Sequence, residues 1–240
     1  MDITGHLNYL DQGSDYHDFT SQEISIQPFL WRLVWESMKS YQNSISDFLK
    51  EIYQKPGINL VLTGAGTSAY IGDTLHGSFQ KYTGLPCRSI SSTSLITHPE
   101  RYINREDPIL IISFARSGDS PESLGVINLL NSICADVSHL IITCNPHGDL
   151  ARYGDTSSQR IILLPDITND KGLAMTGSFT SMLLCGLLVS RIGDMPNLEP
   201  LINTIIQCGE YILKNHVTKL KGVSEMEFSR AVFLGSGPFK

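Results

Sequence analysis

Nothing in this sequence marks a membrane span. Its most apolar stretch, Met182 to Ile192, is too short to cross a bilayer and is broken by Gly186, Ser190 and Arg191. A buried helix is the better reading. The start, Met1-Asp2-Ile3-Thr4, lacks the basic and apolar regions of a signal peptide. Basic residues are in deficit: 18 Lys and Arg stand against 24 Asp and Glu, a net charge of −6. That balance argues against nucleic acid or an anionic membrane as the main partner. A small anion is still admissible, because backbone N–H groups at helix N-termini bind phosphate locally whatever the net charge. Cysteine is sparse and scattered. Cys87, Cys134, Cys144, Cys185 and Cys208 form no C-x-x-C pair and are odd in number, which argues against structural zinc or a disulfide framework. The pattern suits a reducing cytosol, so a cytoplasmic location is expected, with each thiol acting as a small buried hydrophobe.

What is present is enough for a core: 240 residues, 41% hydrophobic, can form one large domain or one domain and a fragment. Residues 1–19 are polar and aperiodic and read as a flexible arm. Thr20-Ser21-Gln22-Glu23 has the form of a capping box and predicts a short helix. A helical stripe then runs from Phe29 through Leu33, Met38, Ile45 and Leu49 to Ile52, ended by Lys55-Pro56-Gly57. Beyond it, strands and helices alternate. Apolar runs at Leu60–Thr63, Ile109–Phe114, His139–Cys144 and Arg160–Leu164, with a weaker one at Arg88–Ile90, predict buried parallel strands. Helices are predicted at Ala69–Tyr82, Pro121–Ile133, Leu150–Tyr153, Met175–Ile192 and Leu198–Lys219. The alternation implies an α/β three-layer sandwich, a doubly wound parallel sheet whose ligands bind beyond the carboxyl ends of the strands.

Those ends carry the unusual chemistry. The first loop is Thr63-Gly64-Ala65-Gly66-Thr67-Ser68-Ala69. Its glycines permit close backbone approach, and Thr67 and Ser68 place hydroxyls at a helix N-terminus, either to bind an anion or simply to cap the helix. Gly64-x-Gly66-x-x-Ala69 also fits a loose dinucleotide fingerprint. That fingerprint calls for an acid about 20 residues on, and the next strand ends in Ser89-Ile90-Ser91-Ser92-Thr93. NAD is therefore disfavoured; NADP, which needs no such acid, is disfavoured less strongly. The second loop, Ser113-Phe114-Ala115-Arg116-Ser117-Gly118-Asp119-Ser120-Pro121-Glu122-Ser123, weighs more. Ser117, Gly118 and Ser120 offer hydroxyls and amides to a phosphate monoester, Arg116 could add charge-assisted bonds, and Pro121 fits a first helical position. A dinucleotide fold has no need of this second cradle. Two further stretches, Thr143-Cys144-Asn145-Pro146-His147-Gly148 and Asn169-Asp170-Lys171-Gly172-Leu173-Ala174-Met175-Thr176, rim the same end. Asn145 and Thr176 are candidate contacts to sugar hydroxyls, against plainer duties as turn former and cap. His98 and His147 read as surface or turn residues.

The set Gly-Ala-Gly-Thr-Ser (64–68), Arg-Ser-Gly-Asp-Ser (116–120), Thr-Cys-Asn (143–145) and Lys-Gly-Leu-Ala-Met-Thr (171–176) resembles the sugar isomerase (SIS) domain family over roughly residues 20–240. The wording Ser-Gly-Asp-Ser-Pro-Glu-Ser and Gly-Leu-Ala-Met-Thr is similar to its tagatose-6-phosphate ketose/aldose isomerase and galactosamine-6-phosphate deaminase branch. The resemblance implies a five-stranded parallel sheet, a tandem of two domains and assembly as homodimers or tetramers. It implies a phosphate held by Gly66, Thr67, Ser68, Arg116 (largely through its backbone), Ser117, Gly118 and Ser120. Ala115 stands where related aminosugar synthases have Ser, so one hydroxyl contact is missing. The chemistry implied is proton transfer through an enediol or enolamine, with imine hydrolysis for an amino sugar, and it calls for no metal and no redox cofactor.

Arg230-Ala231-Val232-Phe233-Leu234-Gly235-Ser236-Gly237 repeats the pattern of Asn59–Gly66. The expected organisation is a SIS domain over residues 20–220, then a linker and the first strand of a truncated second domain over 221–240. The alternative is an edge strand added to the first domain. In the resembled family the base lies in the second domain, so no catalytic residue is assigned. Glu122 is the best-placed acid, and its position beside a helix N-terminus accounts for it. A sugar-phosphate-binding module without turnover is the rival reading, followed by an inactive truncated product.

Overall fold

The computed structural model describes residues 19–237. The described residues open with helix α1 (Phe19–Ser25) and a 27-residue helix α2 (Gln27–Tyr53), with Pro28 in the first turn of α2, where its missing N–H costs nothing. Leu30, Val34, Trp35, Met38, Ile45, Phe48, Leu49 and Ile52 bury one face of α2, the i, i+3/i+4 stripe of an amphipathic helix.

Five strands follow: β1 (Asn59–Gly64), β2 (Cys87–Ser89), β3 (Ile109–Ala115), β4 (Val137–Thr143) and β5 (Gln159–Leu163). All pair in parallel, in the order β2-β1-β3-β4-β5. Between them lie α3 (Ala69–Thr83), α4 (Ser92–Thr97) and α5 (Pro121–Ile133), and after them α6 (Gly177–Ser190), α7 (Glu199–Asn215) and α8 (Val217–Ser224). Each strand feeds both faces in turn. Leu60, Leu62, Leu110, Ile112, Leu140 and Ile142 join α2, α3, α6 and α7 in the larger core. Val61, Ile109 and Ile111 point to the other face, against Leu95 of α4 and Val126 and Leu130 of α5. This is the period-2 alternation of a sheet covered on both sides, with each fully buried Leu or Ile contributing roughly 2 kcal/mol. The three-layer α/β sandwich expected from the sequence is therefore observed.

Several local expectations change. The weak strand lies one residue earlier, at Cys87–Ser89. Helix α4 replaces an unassigned Ser/Thr-rich stretch; Ser91 caps it by accepting the Ser94 N–H. The segment after Gly148 forms a 3-10 turn, Asp149–Tyr153. The last predicted helix ends at Asn215, and α8 restarts at Val217. Cys208 is exposed, so it is not the small buried hydrophobe expected; Cys87, Cys144 and Cys185 are buried. The predicted arm lies outside the described residues except for Phe19. Residues 230–234 are exposed and pair with no strand of the sheet, so the added edge strand is not observed. Among the described residues no helix is long and apolar enough to cross a membrane.

Candidate functional site

Strands β1 and β3 are hydrogen-bonded neighbours through Thr63–Ser113 and Gly64–Phe114, yet the chain leaves them toward opposite faces. Helix α3 packs in the larger core through Ile71, Leu75 and Phe79, whereas α5 covers the other side through Val126 and Leu130. Such a divergence is a topological switch point, where a crevice opens beyond the strand ends. The 64–68 and 116–120 loops flank it, and both lead into helix N-termini, which favour negative charge.

The first loop is shaped mainly by its own backbone, with the Ser92 hydroxyl donating to the Gly64 carbonyl at 3.1 Å. A Cβ on Gly64 would lie 2.6 Å from the carbonyl carbon of Ser68, so only glycine lets the chain fold back here. Gly66 takes φ of +54° and opens a 3-10 turn, Gly66–Ser68. Neither hydroxyl caps α3. Ser68 is buried and its Oγ donates to Met175 Sδ at 3.9 Å, while Thr67 is exposed and its hydroxyl has no hydrogen-bond partner among the described residues.

The second loop is held from outside. Asn145 Nδ2 donates to the Ser117 carbonyl at 2.8 Å, Leu150 N–H donates to the Gly118 carbonyl at 3.1 Å, and Asp119 Oδ1 accepts the Asp149 N–H at 2.8 Å. Gly118 has φ of +72°. A Cβ on Gly148 would sit 2.2 Å from the Ser117 oxygen, so the 143–148 loop reaches contact distance only as glycine. Ser120 caps α5, accepting the Ser123 N–H at 3.3 Å and sharing a 2.6 Å bond with the Ser123 hydroxyl. Ser117 Oγ accepts the Asp119 N–H at 3.4 Å. The Arg116 side chain turns away from the loop: its Nη1 donates to the Gly172 carbonyl at 3.0 Å.

Of the two candidate sugar contacts, Asn145 has both ends of its amide engaged, since Oδ1 also accepts the His147 N–H at 3.0 Å. It has one N–H and one lone pair left over. Thr176 opens α6 but does not cap it with its side chain; its hydroxyl is buried and unpartnered among the described residues. The cap comes from Asp170, 7% exposed, whose Oδ2 accepts from Thr176 N (2.8 Å), Ser178 N (2.9 Å) and Ser178 Oγ (2.6 Å). Glu23 does not close a capping box either. Its Oε1 reaches across to accept the N–H groups of Lys171 (2.6 Å) and Gly172 (2.9 Å).

These carboxylates, with Asp119 and Gly148, are what sequence reasoning passed over. A capping acid six residues before the N-cap position matches no local motif, and the Thr20-x-x-Glu23 pattern pointed to the wrong partner. Glu122 is exposed in the first turn of α5. Cys144, at the end of β4, has its thiol pushed up to about 12 by burial, partly opposed by a Thr168 hydrogen bond, so it is no thiolate at neutral pH. Among the described residues, no three His, Cys, Asp or Glu side chains are grouped to hold a metal ion.

A doubly wound α/β domain with two Gly- and Ser-bearing loops at its switch point is the class that fold and site define. Within that class the chain belongs to the SIS domain family, whose model matches residues 51–190. It is 42% identical over 235 residues to D-galactosamine-6-phosphate deaminase AgaS of Shewanella sp. (strain ANA-3), covering 96% of this chain and 59% of that protein. The same-named protein of Escherichia coli O157:H7 is 34% identical over 236 residues, covering 96% and 60%. The crystal structure of tagatose-6-phosphate ketose/aldose isomerase from Escherichia coli superimposes with a TM-score of 0.84 at 33% identity, over 92% of this chain and 60% of that one. The chain thus spans about three fifths of the length of these relatives.

Proposed function

We propose that this chain is the sugar-phosphate-binding part of an aminosugar-phosphate deaminase or aldose–ketose isomerase, of the galactosamine 6-phosphate or tagatose 6-phosphate type. The observation that carries the reading is the pairing of two hydroxyl-bearing loops on adjacent strands at the switch point. In this reading the phosphate rests on the amides and hydroxyls of Gly66, Thr67, Ser68, Ser117 and Gly118, on the main chain of Arg116 and on Ser120. Asn145 and Thr176 face the sugar with whatever hydrogen-bonding capacity their loop duties leave free. The reaction of the whole protein is proton transfer next to a carbonyl or imine, through an enediol or enolamine, with ammonia released from an amino sugar. It works in the cytoplasm as a homo-oligomer, and residues 221–240 are the linker and first strand of a second domain. Galactosamine 6-phosphate supplied to the full-length protein should yield ammonia and a ketose phosphate in a coupled assay. Silence across hexosamine and ketose phosphates would overturn the reading.

One observation favours a narrower role for these 240 residues. Three carboxylates around the loops each hold main-chain N–H groups through one oxygen: Asp119 that of Asp149, Asp170 those of Thr176 and Ser178, Glu23 those of Lys171 and Gly172. In this narrower reading the acids beside the loops serve as supports, and this chain alone binds a sugar phosphate without turning it over. Calorimetry on the purified chain should detect binding, and measurable turnover by it would exclude the narrower role.

A further inference from the structure

Helix α1 buries none of its own residues in the core, yet it makes one of the tightest contacts in the site. Glu23 Oε1 takes the N–H groups of Lys171 and Gly172, and the carbonyl of that same Gly172 takes the Arg116 guanidinium. Gly172 is therefore gripped on both of its main-chain groups by side chains of opposite charge from two distant elements. Charge-assisted bonds of this kind are the stronger ones. A Cβ at position 172 would stand 2.8 Å from Glu23 Oε2 and 2.9 Å from Thr20 Oγ1, so a side chain here would push the Glu23 carboxylate and the Thr20 hydroxyl aside. From Gly172 the contacts run on into both loops. Arg116 is the first residue after β3 and opens the second loop, and Met175, three residues past Gly172, receives the Ser68 hydroxyl of the first.

We propose that Glu23 is a positioning residue of the sugar-phosphate site, acting through Gly172 together with Arg116. It rests on the reading of these loops as that site. The carboxylate fixes the 170–176 turn, and the turn fixes the relative placement of Ser68 and Arg116. The charge on Arg116 serves the turn, leaving the main chain of that residue to the ligand. A merely structural role would show as lost stability. A positioning role shows as lost order and affinity with stability kept, because α1 contributes no buried side chain.

The test compares Glu23→Ala, Glu23→Asp, Glu23→Gln, Arg116→Met and the Glu23→Ala/Arg116→Met pair in the 240-residue chain. Three readouts are taken: amide hydrogen exchange, thermal midpoint and affinity for galactosamine 6-phosphate. Glu23→Ala should bind roughly tenfold more weakly, the effect of losing one charge-assisted contact. Its midpoint should stay close to that of the parent. Exchange should quicken at 171–172 and, by transmission, at 66–68 and 116–120. Glu23→Gln, whose amide oxygen can accept the same two N–H groups, should recover most of the affinity. Glu23→Asp, one methylene short, should not, and it serves if the alanine variant is poorly folded. The double variant should be little worse than either single one. Parent-like affinity in Glu23→Ala, or faster exchange confined to 171–172, overturns the proposal. If the parent chain binds no sugar phosphate, the functional reading fails, and the exchange data alone decide the clamp: transmission to both loops upholds it, confinement overturns it.

Discussion

The two strand-end loops leave neighbouring strands at one crevice, yet they are kept in shape by different means. The 64–68 loop is supported mostly from within: Gly64 lies against the Ser68 carbonyl, and the contacts from outside are the Ser92 hydroxyl, which donates to the Gly64 carbonyl at 3.1 Å, and Met175 Sδ, which receives the Ser68 hydroxyl. The 116–120 loop depends on its neighbours, through Asn145, Gly148, the Asp149 and Leu150 amides and Gly172. The hydroxyls follow the same division. Thr67 is exposed and unengaged among the described residues, whereas Ser120 is engaged as a cap. A loop that shapes itself leaves its polar groups free for a ligand. A loop shaped by others can be tuned, or ruined, from a distance.

The largest expected effect comes from attacking the dependent loop without touching it. In Gly148→Ala the new methyl would meet the Ser117 oxygen at 2.2 Å, a main-chain atom that cannot rotate aside. We expect a loss of about 3 kcal/mol in urea unfolding, at the upper end of overpacking costs. Binding should be lost at the second loop while exchange of the Ser68 amide, which donates to the Ala65 carbonyl, stays as in the parent. Equal loosening of both loops would break the comparison.

Next in size is an acid perturbation that should not discriminate between them. His139 is buried on β4, and burial lowers its pKa from 6.5 to about 4. The unfolded chain therefore binds the proton more readily in that interval. Stability should be at full strength above pH 6.5 and fall as the pH drops toward 4, by roughly 3 kcal/mol at most. Unfolding curves across this range check it, and His139→Gln should flatten the slope. Selective opening of one loop on acidification would show that the two are not anchored on one sheet in the way described.

The smallest pair is the sharpest. Ser120→Ala removes a cap and should cost about 1 kcal/mol of stability. Thr67→Ala should leave stability within about 0.5 kcal/mol, since an exposed hydroxyl is removed, and should weaken sugar-phosphate binding roughly tenfold. Thermal melts should separate the two variants, with Ser120→Ala the less stable, and calorimetry should show that Thr67→Ala loses affinity while its stability is kept.

The same contrast explains what could be read from the chain in advance. Strands β1, β3, β4 and β5 were legible because a strand buried on both faces is a continuous apolar run, and the switch point followed from their alternation with helices. β2 was faint because it is a three-residue edge strand. The first loop was legible as glycines and hydroxyls in one stretch. The supports of the second were not, because Asn145, Asp149 and Gly172 lie 28, 30 and 56 residues from their partners. Asp170 was missed for a related reason: it caps a helix from outside the usual cap position, and only the folded 170–176 turn brings it there.

The long helix α2 bears on where this domain can be cut. The segment matched to the family begins at residue 51, two residues short of the end of α2, and stops at residue 190, before α7. Yet Val34, Trp35, Met38 and Ile45 on one side, and Leu198, Ile202 and Ile206 on the other, belong to the same core cluster as the sheet. An excised 51–190 piece would expose that whole face to water and, by the same token, to every other copy of itself. The unit of recognition in the sequence is thus smaller than the unit of folding. Any shuttling of this site into another protein must carry the flanking helices with it.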